Sequence, residues 1–400
     1  MAGVSKRMLA LGTASSEIRE AFAAAQARAA EIGPEKVDDF SIGNPSVPAP
    51  ESVRAAIHTL LDTVEPLTLH GYTPAPGDME VRQSLAEDLN KRFGTDYDGS
   101  ELYLTCGAAA SLSCVLSALA CEGDEFVVIS PYFPEYKVFI ETAGGTVVEA
   151  KADPETFQID RAAVNLALSE KTKAVIINTP NNPTGAVYGE ESLKKLAELL
   201  SQKSFLYGHP IYLISDEPYR EISFTDQPTP WVPSYYANTI VCYSYSKSLS
   251  LPGQRIGYVL VPRKTENAAE VYAAVCGAGR ALGYVCAPTL FQLVAKECTG
   301  QTSDVAVYRR NRDLLLNALR EMGYTCAQPD GAFYLFPKAL EKDARAFCQK
   351  AQELDLFLVP GDSFGAPGYV RISYCVPTEQ VERSLAKFKK LAEAYGVTGG

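Results

Sequence analysis

The sequence predicts an α/β fold: a large domain on a mostly parallel sheet flanked by helices, plus a smaller α+β domain formed by the N- and C-terminal parts. Three observations carry this. Apolar runs at residues 126–130, 174–178, 211–215, 239–243 and 256–261 alternate with helical patterns, as parallel strands buried on both faces do. Several of these runs end in residues with chemical use, where an open parallel sheet binds its ligands. The chain's 400 residues, 46% of them apolar, suffice for more than one core.

The elements follow in order. Ser15 and Ser16 can cap a helix that runs through Ile18, Phe22 and Ala29 and stops at Gly33-Pro34. Asn44-Pro45, with Pro48 and Pro50, then marks an extended crossover. After Asp78, the side chains Val81, Leu85, Leu89 and Phe93 recur every four residues before Gly94, which predicts an amphipathic helix. Leu102-Tyr103-Leu104-Thr105 reads as a short strand that passes through Gly107 into an Ala-rich helix. The strand-like runs named above follow. Past Pro288 come a long helix through residues 308–313, a strand at 332–336, another helix and a strand bearing Arg371. The expected division is 1–47 as an N-terminal arm and helix of the small domain, 48–287 as the large domain and 288–400 as the small domain. We find no internal repeat.

Lys247 lies in Ser244-Tyr245-Ser246-Lys247-Ser248, just past a buried strand. A lysine held there can lose enough solvation to become a neutral amine able to attack an aldehyde. Two other runs end alike, in Asn181-Asn182-Pro183-Thr184-Gly185 and in Ser215-Asp216-Glu217-Pro218-Tyr219. Asn182, Asp216, Tyr219 and Lys247 would thus converge on one crevice. Read singly, each has an ordinary account: a turn residue, a helix cap, a core aromatic and a solvated lysine. Gly107, Ala108 and Ala109 at the start of a helix offer free N–H groups to an anion, and Arg255 with Ser244 adds a guanidinium and a hydroxyl.

These motifs, together with Tyr369-Val370-Arg371-Ile372-Ser373 and Phe40-Ser41-Ile42-Gly43-Asn44-Pro45, closely resemble the class I/II aminotransferases, pyridoxal-phosphate enzymes of the aspartate aminotransferase type with fold type I. The resemblance spans nearly the whole chain. It implies a Schiff-base lysine and proton carrier at Lys247, a carboxylate at Asp216 for the pyridine nitrogen, and donors to the phenolic oxygen at Asn182 and Tyr219. It implies phosphate contacts from Ser244, Ser246, Arg255 and the backbone at Gly107, Ala108 and Ala109. Arg371 would grip the substrate's α-carboxylate with its fork of donors, Gly43 would lie where the chain closes over the substrate, and Tyr72 would reach the phosphate of a partner subunit in a homodimer. The implied reaction is ping-pong transfer of an amino group from an L-amino acid to a 2-oxo acid, with 2-oxoglutarate the expected acceptor.

Some positions depart from the family's pattern. Phe133 stands where many members place a tryptophan against the cofactor ring, and Ala109 where some acidic-substrate members carry lysine. Arg280 either reads a distal carboxylate or is a solvated helix-end arginine. A carbon–sulfur lyase, acting by β-elimination on the same scaffold, is the alternative reaction, since the same lysine, aspartate and arginine would serve it.

Composition excludes other classes. A net charge of −11 without a basic face argues against nucleic acid or an anionic membrane as partner. Ten cysteines without a Cys-x-x-Cys, and only three histidines, give no zinc framework and point to a reducing cytoplasm. The apolar start at 6–12 is too short for a signal peptide. Gly277-Ala278-Gly279-Arg280-Ala281-Leu282-Gly283 mimics a dinucleotide fingerprint, but what precedes it reads as helix where such a motif needs a strand.

Overall fold

The computed structural model describes residues 3–14 and 16–397. The proposed cap at Ser15 lies outside them, and Ser16 precedes the helix Glu17–Ile32 without a side-chain cap bond. The chain divides into two compact units, one of residues 1–44, 310–327 and 333–400, the other of residues 45–309 and 328–332.

The larger unit is organised on a seven-stranded sheet. Its strands are β1 (Leu102–Thr105), β2 (Glu125–Ser130), β3 (Thr146–Lys151), β4 (Thr172–Asn178), β5 (Tyr212–Asp216), β6 (Thr239–Ser244) and β7 (Gly257–Leu260), in the order β1-β7-β6-β5-β4-β2-β3. The pairs among β2, β3, β4, β5 and β6 are parallel, while β7 is antiparallel to both β6 and β1. The link from β6 to β7 holds only a single helical turn and a 3-10 turn, too little for the crossover that a parallel pair requires. The reversal has a consequence for the site. It brings the start of β7, and Arg255 just before it, to the edge where β1, β4, β5 and β6 end.

Alternate side chains of the strands fill two cores. Val128, Ile176, Ile214 and Ile240 pack on one face with the helix Ala108–Leu119, and Val127, Val175 and Leu213 pack on the other with the helix Glu190–Tyr207. Fully buried parallel strands therefore read as continuous apolar runs. The helix Met79–Phe93 is capped by the Asp78 side chain on Val81 N and ends at Gly94 in the left-handed region, as its pattern predicts. Its Val81, Leu85 and Leu89 join Val53, Leu60, Val294, Ala295 and Cys298 in a third core. That packing gathers residues 288–309 into the larger unit, whereas the sequence-based boundary lay at 287/288.

In the smaller unit a three-stranded antiparallel sheet has Val370–Ser373 at its centre, between Val359–Pro360 and Tyr334–Leu335. Asp38–Asp39 pairs in parallel with Leu356–Phe357. Ser373 N donates to Phe40 O at 2.9 Å, which ties the N-terminal segment to the Arg371 strand. Glycines 277 and 279 fall inside the helix Ala268–Ala281, so no strand precedes them. Among the described residues no helix is long and apolar enough to cross a membrane.

Candidate active site

Sheet register aligns the strand ends. Asn178 pairs with Asp216 and Asp216 with Cys242, while Ser244 and Thr105 both pair with Gly257. Neighbouring strands lie about 4.8 Å apart, so the segments leaving β1, β4, β5 and β6 and entering β7 issue along one edge. Asn182, Asp216, Lys247, Arg255 and Gly107 all belong to these segments.

Each segment is held by short-range bonds. Asn178 Nδ2 donates to Asp216 O at 2.8 Å, and Asn178 Oδ1 accepts from Asn182 N at 2.7 Å, which fixes the turn that carries buried Asn182. Asn181 Oδ1 then accepts from Thr184 N and Thr184 Oγ1 at 3.1 and 2.8 Å. Lys247 is half-buried in the single helical turn Tyr245–Ser248. That turn is pinned by Ser246 N donating to Ser244 Oγ at 3.2 Å, by Tyr245 N donating to Ile256 O at 3.1 Å, and by Ser303 N donating to Ser248 O at 2.7 Å. Ser244 and Ser246 are buried with their hydroxyls 2.8 Å apart.

At the β1 end, Gly107 has φ 88° and ψ 173° and precedes the helix Ala108–Leu119 with no side-chain cap. That backbone region is open essentially to glycine alone. A Cβ built on Gly107 would meet Arg255 Nη2 at 2.7 Å. The glycine, the uncapped helix start and an exposed guanidinium thus form a cradle for an anion. Arg255 itself donates to Pro252 O at 2.8 Å.

Asp216 is buried, and burial pushes its carboxyl up to about 7. Its Oδ2 accepts from Tyr136 Oη at 2.5 Å, whereas its Oδ1 has no hydrogen-bond partner among the described residues. An orphaned buried carboxylate oxygen is costly and fits a ligand with an N–H donor. The pyridinium of pyridoxal phosphate is such a group, and the anion cradle suits its phosphate. Phe133 is half-buried and meets the Tyr136 ring edge-on at 5.8 Å. Tyr219 is 5% exposed, and Glu217 beside it forms a buried ion pair with Arg220 at 2.5 Å.

The smaller unit holds a second group. Arg371 is 2% exposed, lies 4.8 and 5.0 Å from the ring centres of Tyr334 and Phe364, and donates from Nη2 to Ser41 O at 2.5 Å. Gly43 follows two residues on, with the Tyr334 hydroxyl against its Cα. Tyr72 is 88% exposed in the larger unit, and Arg280 is exposed in the last turn of its helix.

Sequence reasoning missed Tyr136 and the Glu217–Arg220 pair. Tyr136 sits in a helix 80 residues before Asp216, and nothing local distinguishes it from a core aromatic. The spacing of Glu217 and Arg220, which suits a helix-like turn, could have suggested their pairing.

The model of the family "Aminotransferase class I and II" matches residues 35–388. The chain is 31% identical over 403 residues to the aspartate/prephenate aminotransferase of Thermus thermophilus, covering 98% of this chain and 99% of that protein. It is 32% identical to the aspartate aminotransferase of Thermotoga maritima, covering 89% and 91%. Among solved structures, an amino transferase from Eubacterium rectale superposes with a TM-score of 0.97 at 54% identity, covering 99% of this chain and 100% of that one. The Thermus thermophilus aspartate aminotransferase with maleate superposes with a TM-score of 0.86 at 30% identity, covering 98% and 100%. The chain is a pyridoxal-phosphate-dependent transaminase whose reaction is of the aspartate aminotransferase kind, and these relatives lend no support to the carbon–sulfur lyase alternative. With the family model spanning most of its length, the chain belongs to the class I and II aminotransferases.

Proposed function

We propose that this chain binds pyridoxal 5′-phosphate along the edge where its strands end and uses it to exchange amino groups between an acidic L-amino acid and 2-oxoglutarate. The observation that carries the proposal is Asp216 Oδ1, a buried oxygen without a hydrogen-bond partner among the described residues, in the segment set that also bears Lys247. Asp216 would face the pyridine nitrogen, with Asn182 and Tyr219 at the phenolic oxygen and Phe133 against the ring. Gly107, Ala108, Ala109, Ser244, Ser246 and Arg255 would surround the phosphate. When bound, the cofactor supplies an electron sink for the bond broken at the substrate's Cα.

The chain's own residues do the rest. Lys247 Nζ would anchor the cofactor and, once released by substrate, would carry the proton from the substrate's Cα to the cofactor's C4′ carbon. Arg371 binds the α-carboxylate in two parallel hydrogen bonds, with its guanidinium already oriented by Ser41 O and by the rings of Tyr334 and Phe364. Gly43 borders that carboxylate site. The acidic donor is inferred from the relatives named aspartate aminotransferase and from the maleate in the Thermus structure. Tyr72, exposed here, would complete the phosphate site of a second copy, which makes the working form a homodimer. Ten free cysteines favour a reducing cytoplasm.

The visible spectrum of the purified protein tests this reading. A yellow band bleached by L-aspartate or L-glutamate alone, and restored by 2-oxoglutarate, supports it. Bleaching only by other amino acids overturns the donor class. A persistent band with release of pyruvate and ammonia overturns transamination, and no band after reconstitution overturns the cofactor site.

A further inference from the structure

We propose that Tyr136 is the positioning residue for Asp216: its hydroxyl holds Oδ2 and so turns Oδ1 toward an N–H donor of the ligand. The inference rests on the cofactor reading above and extends it to a residue that no motif marks. The Tyr136 hydroxyl donates to Asp216 Oδ2 at 2.5 Å, and the tyrosine is 1% exposed. Its ring is fixed by Phe133 edge-on at 5.8 Å and by Tyr132 stacked at 6.5 Å, and Tyr136 N donates to Phe133 O at 3.0 Å. At its other end Asp216 is held by Asn178 Nδ2 on its backbone oxygen. With one carboxylate oxygen tied and the main chain tied, the remaining oxygen has one orientation.

The direction of the hydrogen bond is set by the two groups' acidities. Burial and the neighbouring Asp216 keep the Tyr136 hydroxyl well above its ordinary range, so it is the donor. For Asp216, burial raises the carboxyl, the Tyr136 hydroxyl works against that rise, and Glu217 adds to it. Other titratable groups facing this pair include Cys242, on β6 and paired with Asp216, and Tyr188 and Tyr219, which face Tyr136. Removing the hydroxyl therefore raises Asp216 further and leaves a neutral carboxyl that no longer draws a protonated ring nitrogen.

The test is the dissociation constant of pyridoxal phosphate from the cofactor-free protein, measured by equilibrium dialysis from about pH 6.5 to about pH 9, the range around the raised carboxyl. Tyr136→Phe keeps the ring and loses only the hydroxyl. It is expected to weaken binding about tenfold near neutral pH, with the deficit shrinking as pH rises and Asp216 ionises without help. Asp216→Asn is expected to lose affinity at every pH, and adding Tyr136→Phe to it should cost nothing more, since the hydroxyl acts through the carboxylate.

A Tyr136→Phe profile parallel to wild type overturns the proposal, as does the same further loss when Tyr136→Phe is added to Asp216→Asn. If the cofactor-free Tyr136→Phe protein melts well below wild type, the double-variant comparison is repeated with Tyr136→His, which keeps a ring N–H donor. Equal losses from Tyr136→His with and without Asp216→Asn would then overturn it. If wild type itself binds no pyridoxal phosphate, the cofactor reading fails instead, and the two failures are distinct.

Discussion

Arg255 Nη2 lies 2.7 Å from the point where a Cβ on Gly107 would sit. A residue from the start of an antiparallel strand and a glycine after the first strand thus share one cradle, brought together because Gly257 pairs with both Thr105 and Ser244. Gly107→Ala would displace the guanidinium and force a backbone region that costs a side-chain-bearing residue about 1–3 kcal/mol. The expected result is a folded protein whose pyridoxal phosphate affinity falls by about tenfold or more. Spectrophotometric titration of the cofactor-free protein measures it, and an unchanged affinity would remove the phosphate from this cradle.

Lys247→Ala is expected to abolish turnover while the protein still retains cofactor through the phosphate contacts. The lysine is the one amine in the turn Tyr245–Ser248, and no neighbouring residue of that turn can replace a proton carrier. Steady-state assays with dialysed and with reconstituted protein check both halves. Undiminished transamination would show that the amine belongs elsewhere.

Arg371→Ala should raise the KM for both amino and oxo acids, by about 2–5 kcal/mol in binding, because a fork of donors and its charge disappear together. Arg371→Lys keeps the charge but loses the planar fork and its packing on Tyr334 and Phe364, so an intermediate rise in KM is expected. Equal kinetics for wild type and the lysine variant would mean that bidentate geometry plays no part.

Much of the candidate site was legible because its residues sit at the ends of buried parallel strands. There, an apolar run followed by Asn182, Asp216 or Lys247 is visible in a single reading of the chain. What the sequence did not disclose depends on pairings between distant segments. The antiparallel direction of Gly257–Leu260 follows from a short connection and not from its composition. The bond from Tyr136 to Asp216 spans 80 residues, and the short pair Asp38–Asp39 with Leu356–Phe357 carries no periodicity at all. The helix at 289–297 looks alike in either domain, and only its packing on Val53, Leu60 and Leu85 decides its membership.

Gly43 owes its identity to Tyr334. A Cβ at position 43 would fall on the tyrosine hydroxyl, and the ring is 2% exposed with no room to swing aside. Gly43→Ala should cost about 1–3 kcal/mol in stability from overpacking and raise KM through the displaced ring beside Arg371. Adding Tyr334→Phe removes the clashing oxygen, so the double variant should recover part of both losses. Denaturant unfolding and steady-state kinetics around this double-mutant cycle measure the coupling, and strict additivity would show that the two residues do not meet.

Cofactor-free protein should lose stability as pH rises from about 4 to about 7. Burial raises the Asp216 carboxyl from its ordinary value to about 7, so over that window the folded state holds a proton that the unfolded state has released. Stability then falls with increasing pH, since the slope of the unfolding free energy follows the protons bound by the unfolded state minus those bound by the native state. The loss from this one group is on the order of 4 kcal/mol, complete above the folded-state value and absent below the unfolded one. Asp216→Asn cannot ionise and should remove this component of the slope, and loading wild type with pyridoxal phosphate should reduce it by giving the ionised carboxylate a partner. Chemical unfolding of wild type and Asp216→Asn at matched pH values isolates the difference; parallel curves would mean that Asp216 titrates near its ordinary value and that the buried oxygen is solvated.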